Sequence, residues 1–134
     1  MALYPTKLTG KSNVAFYKKG GTKFKDIWVE LKDITANATF VLPANVALIG
    51  TVILVNTSGT TQAAITVGFT AAGTEIITGT TCNAGLSRRV NGTMQTPSNV
   101  DRTVYVESTA WQAGVHVYLL AVEYPMTDDR TAKS

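Results

Sequence analysis

The side chains able to do covalent or acid–base chemistry are few and scattered. His116 is the single histidine and Cys82 the single cysteine of 134 residues. A metal site built on histidines and a proton-passing histidine pair are therefore both excluded. Cys82, Asp101 and His116 are the residue types of a nucleophile, an orienting acid and a base, yet no local signature surrounds any of them. His116 lies within the apolar run 115–124, where a hydrogen-bonded structural histidine is the expectation. Only Asp128 and Asp129 are adjacent among the carboxylates, so no pair is marked for work across a cleft. Gly20-Gly21-Thr22-Lys23 lacks both the spaced first glycine and the preceding apolar strand of a phosphate loop. The expectation is a protein that is not an enzyme, with no catalytic residue, metal or cofactor.

Residues suited to binding are easier to find. Lys7, Lys11, Lys18, Lys19, Lys23 and Lys25 fall in the first 25 residues, which hold no acidic side chain. The other 109 residues carry six basic and nine acidic groups, a formal −3. With Phe16 and Tyr17 as apolar anchors, residues 1–25 read as an irregular, extended arm that lies on an acidic surface of a neighbouring subunit. A solvated, partly ordered tail is the alternative. Nucleic acid is a less fitting partner, because the arm lacks arginine and any known module. Arg88 and Arg89, with Arg102 further on, suit carboxylates across a subunit boundary or a solvated edge that resists aggregation. Trp28 and Trp111 could anchor an interface or stack on a sugar; for Trp111, close to Gly114, packing over the end of the domain is favoured.

The elements behind these residues are strands. Residues 27–32 alternate, with Ile27, Val29 and Leu31 on one face and Trp28, Glu30 and Lys32 on the other. Further strands are expected at 38–42, at 46–56 with a bend at Gly50, and around Ile65, Val67 and Phe69. Weaker ones follow at 75–78 and 86–90, then 102–107 and a central apolar strand at 115–124. Residues 91–99 read as a loop. About eight short strands separated by turn signals imply an all-β sandwich of jelly-roll or other Greek-key type, over residues 26–125, with a polar tail at 126–134. No segment has the period of an amphipathic helix.

Thr occurs 21 times and charged residues make up only 16% of the chain. Between Asp33 and Glu75 there is no ionisable side chain, a gap of 41 residues. An exposed sheet usually carries charges that stop its edges from pairing. The gap therefore implies burial against other subunits, or else a neutral Thr-rich surface that is soluble without charge. The start MALYPTKLTGK has no apolar run of the signal-peptide kind, and the apolar stretches are too short to cross a bilayer. With one cysteine, no intrachain disulfide is possible, which fits cytosolic folding.

The segments Val55-Asn56-Thr57, Ile65-Thr66-Val67-Gly68, Tyr105-Val106 and Ala110-Trp111, followed by the last aromatic strand, resemble small virion proteins of tailed bacteriophages. The likeness covers roughly residues 40–125. It implies a capsid decoration (cement) protein, a trimer seated where capsomers meet, with the major capsid protein and sister subunits as partners and no catalytic residue. A glycan- or receptor-binding module of a head or tail fibre is the alternative, with Trp111, Tyr105 and the 91–99 loop as its stacking surface. A tail or connector component is a further one.

Overall fold

The computed structural model describes residues 3–7, 14–19 and 25–123, with side chains from residue 26 onward. Its described residues contain ten strands: β1 (Leu3–Lys7), β2 (Val14–Lys19), β3 (Lys25–Leu31), β4 (Ala38–Leu42), β5 (Val46–Asn56), β6 (Gln62–Gly68), β7 (Ile77–Cys82), β8 (Ser87–Asn91), β9 (Arg102–Ser108) and β10 (Val115–Glu123). They form a six-stranded sheet in the order β1-β2-β3-β10-β5-β8 and a four-stranded sheet in the order β4-β9-β6-β7, antiparallel throughout. Strands β3 to β10 supply the 3-10-5-8 and 4-9-6-7 sheets of an eight-stranded jelly roll. The chain is thus an all-β sandwich, and of the two expected arrangements it takes the jelly roll.

The core follows from period-two patterning. Ile27, Val29 and Leu31 of β3, Val52 and Leu54 of β5, and Val117 and Leu119 of β10 face inward from one sheet. They meet Phe40 and Leu42 of β4, Ile65 and Val67 of β6, and Val104 and Val106 of β9 from the other. Each such side chain, fully buried, contributes about 1.5–3 kcal/mol before ordering costs. Strand β10 lies between β3 and β5, the central place expected of it, although only its inward side is fully buried.

Gly50 is where β5 bends. Its φ is +92°, and the register against β10 slips between Leu119 and Ala121, beside it. Its carbonyl accepts the Gly92 N–H at 2.6 Å, and a Cβ built there would lie 2.6 Å from the Gly92 oxygen. Both the conformation and the space require glycine.

Three expectations need correction. The strand read at 75–78 runs over Ile77–Cys82, because its inward residues are Ile77, Thr80 and Cys82, and register shifts against β6 break the alternation. The strand read at 86–90 moves by one residue, to Ser87–Asn91. The segment 1–25 is extended but not irregular throughout. Strand β2 pairs along β3, and β1 pairs along β2, so both widen the chain's own six-stranded sheet. Registers place Lys19 opposite Asp26 and Lys25 opposite Glu123, where opposite charges favour the pairing. Lys11 and Lys23 lie outside the described residues, as do the side chains of Lys7, Phe16, Tyr17, Lys18, Lys19 and Lys25 and the tail 126–134.

Candidate interaction surface

The inward residues of β3, β10 and β5 leave their alternate neighbours on the outside of the sandwich. These are Trp28 on β3, Tyr118, Leu120 and Val122 on β10, and Ile49, Ile53 and Val55 on β5, all half-buried. Leu120 is paired with Trp28, and Tyr118 with Ile53, so the apolar groups adjoin across three strands. Trp28, Ile53 and Tyr118 line a shallow groove of about 260 Å³. Among the described residues, charges flank this group. Tyr118 is opposite Glu30 on one side, and Ile53 is opposite Arg89 on the other. The Tyr118 hydroxyl bonds the Glu30 carboxylate, and partial burial, followed by the nearby Glu30 and Asp33 charges, raises the phenol pKa above its usual value.

The outside of the four-stranded sheet has different chemistry. It presents Thr39 of β4, Thr103, Tyr105 and Glu107 of β9, Ala64 and Thr66 of β6, and Thr78 and Thr81 of β7. A groove of about 690 Å³ runs over β6 and β9, with Ala64, Thr66, Glu107 and Asn37 among its lining residues. Glu107 Oε1 accepts the Ala72 N–H at 2.5 Å, which fixes one carboxylate oxygen. Nearby, Glu75 Oε1 accepts the Phe69 N–H at 2.9 Å, and this bond lowers the Glu75 pKa.

The residues with catalytic potential each have a separate structural partner. His116 Nδ1 accepts the Asp33 N–H at 3.0 Å, the hydrogen-bonded structural role expected of it. Asp101 Oδ1 accepts the Ala44 N–H at 3.0 Å. Buried Cys82 directs Sγ toward the Leu86 carbonyl at 3.3 Å, and burial pushes its thiol pKa up. Among the described residues, no group of three or more His, Cys, Asp or Glu side chains is placed to hold a metal ion. No helix among them is long and apolar enough to cross a membrane.

The candidate interface residues divide. Arg88 Nη1 donates to the Thr81 carbonyl at 2.9 Å, whereas exposed Arg89 makes no hydrogen bond or ion pair with the described residues. Arg102 is committed within the chain: it donates to the Val46 carbonyl at 3.0 Å and lies 4.9 Å from the Phe69 ring centre. Trp111 packs against the core and donates from Nε1 to Asn37 Oδ1 at 2.8 Å, which agrees with packing over the end of the sandwich. The stacking surface drawn from Trp111, Tyr105 and the 91–99 loop is not assembled. Trp111 follows β9 and the loop precedes it, so a seven-residue strand of roughly 20 Å separates them.

Three polar residues with structural roles escaped the sequence reading. Buried Asn56 donates to the Thr60 and Cys82 carbonyls and accepts from Ser58, closing the β5–β6 turn. Buried Gln62 donates to the Ala110 carbonyl and accepts the Gln112 N–H, tying β6 to the β9–β10 turn. Asn37 Oδ1 receives the Ser108 N–H as well as Trp111. For Asn56 and Gln62 the available signal was an amide at the end of a largely apolar strand, whereas Asn37, before β4, had none.

No family model matches the sequence, and no curated protein matches it. Solved structures resemble it at low identity. One is a chain of the cyanophage Pam1 capsid asymmetric unit, 18% identical with a TM-score of 0.43, over 78% of this chain and 86% of that one. A Vibrio parahaemolyticus protein of unknown function is 12% identical with a TM-score of 0.36, over 89% and 98%. The K1 cleaved adhesin domain of Lys-gingipain from Porphyromonas gingivalis is 10% identical with a TM-score of 0.38, over 92% and 99%.

Proposed function

We propose that this chain is a structural virion protein, a capsid decoration (cement) protein that stabilises a phage head by binding between capsid subunits. The observation that supports this reading best is the apolar outer face of the six-stranded sheet. Such a face is stable in water only at a cost that a packing partner removes. Its role requires no catalysis, metal or cofactor. Each apolar contact adds about 25 cal/mol per Å² buried, before ordering costs, and repetition around a shell multiplies small gains. The partners are the major capsid protein and sister subunits, and the location is the virion.

The test is to mix purified protein with expanded, undecorated phage capsids and measure stoichiometric binding and thermal stability. Saturable binding with a raised disruption temperature is expected. No binding, or binding that leaves the shell's stability unchanged, would sink the reading.

A glycan-binding module is the second reading, and the groove over β6 and β9 favours it. Glu107 and Asn37 line that groove beside small side chains, a setting suited to hydroxyl groups. Saturable sugar binding on a glycan array, lost in Glu107→Gln, would replace the cement reading with this one.

A further inference from the structure

One register row crosses the apolar face from charge to charge. Over β3, β10, β5 and β8 it runs Glu30, Tyr118, Ile53, Arg89, and the register continues beyond Glu30 through Ala15 of β2 to Lys7 of β1. The carboxylate and the guanidinium are three strand spacings apart, about 14 Å, too far to pair within one chain. Between them is the Trp28–Ile53–Tyr118 groove, with Leu120 beside Trp28. Arg89 is exposed and makes no hydrogen bond or ion pair with the described residues.

We propose that this face is covered by a second copy of the chain, with Arg89 of one copy against Glu30 of the other. The support is charge complementarity. Over these four strands the patch is negative at Glu30, apolar in the middle and positive at Arg89, and that portion is complementary to itself. A half-turn about an axis through the row sets Arg89 on Glu30 at both ends and the two grooves over one another. A head-to-tail ring unites the same pair once per contact. Arg suits this role because its planar fork meets a carboxylate at two points. The long strands β5 and β10 also make the face broad. Similar patches on weakly charged sheets invite non-specific pairing, and the end charges give this one a register.

The inference rests on the packing role proposed above but not on a capsid, so the two readings can fail separately. The experiment is sedimentation velocity on the full chain over a micromolar concentration series, with circular dichroism to confirm that each variant is folded. The wild type should sediment as a defined oligomer of the 14.3 kDa chain. Arg89→Glu and Glu30→Arg should each weaken association by about tenfold or more, and the double exchange should recover most of the loss. Raised salt should weaken the wild type in the same direction. A monomer at every concentration, single variants that associate as the wild type does, or a double exchange no better than the singles would each overturn the proposal.

Discussion

The two outer faces of this sandwich solve the same problem in different ways. Both draw on the uncharged stretch between Asp33 and Glu75. Strands β4 and β6 place Thr39 and Thr66 on the outside of one sheet, where each hydroxyl can bond water. Strand β5 places Ile49, Ile53 and Val55 on the outside of the other, with Thr51 the single hydroxyl among them, and the aliphatic groups offer water no bond. One sequence feature thus splits into a neutral wet surface and an apolar surface suited to a partner. A missing charge alone does not reveal which; the side chain that stands in its place does.

The sharpest way to break this comparison is to put the same charge on each face. Ile53→Lys and Thr66→Lys both replace outward, half-buried residues, so neither should unfold the domain. Ile53→Lys would bury an unpaired ammonium in the middle of the apolar contact. Association, and any binding to shells, should fall by at least about tenfold, because an uncompensated buried charge costs several kcal/mol. Thr66→Lys should change binding by less than about twofold. Equal losses from both would mean that the faces do not differ in role.

A smaller effect concerns the shape of the apolar sheet. Gly50→Ala must strain a positive φ and displace the Gly92 carbonyl, at a cost of about 1–3 kcal/mol. Urea denaturation should show that loss, and association should weaken with it because β5 carries Ile49, Ile53 and Val55. Full stability in Gly50→Ala would show that the bend is optional.

Smaller again is the effect of Asn37→Ala, which acts on the other side of the molecule. It removes the acceptor for both the Ser108 N–H and Trp111 Nε1, and should cost about 1–2 kcal/mol of folding stability. Self-association should be unchanged. A loss of partner binding without loss of stability would return Trp111 to the interface role that its packing argues against.

The inward faces of β3 and β9 were legible in the sequence, because Ile27-Val29-Leu31 and Val104-Val106 alternate with polar or aromatic neighbours, whereas β5 and β10 are apolar on both sides and show no face until they are paired. Strand β7 was displaced because Thr80 and Cys82 hold inward places that apolar residues usually occupy, and a bulge breaks the period. The pairing of β2 along β3 was hidden for another reason. Lysines and a Gly-Gly break read as an arm, and only the partner strand shows that Lys19 is in register with Asp26. The apolar outer face was the hardest to read. Trp28, Ile53 and Leu120 belong to separate strands, and their adjacency exists only after β10 enters between β3 and β5.

The finest test uses the phenol at the centre of the Glu30–Arg89 row. Tyr118 is partly buried and near Glu30 and Asp33, so its neutral form is favoured in the folded state and its pKa lies above 10.0. A raised folded pKa means that the associated stability is complete below the unfolded value and is lost as pH rises through the folded one. Tyr118→Phe keeps the apolar ring and removes both the bond to Glu30 and the titration. Near neutral pH it should therefore be slightly less stable, by about 0.5–1.5 kcal/mol. Above pH 10.0 the wild type should lose stability that the Phe variant keeps, so the difference narrows with each step in pH. Stability curves that stay parallel through that range would show that the phenol does not sense this face. A difference that narrows would show that partial burial and the neighbouring Glu30 hold the phenol in its neutral form on this face.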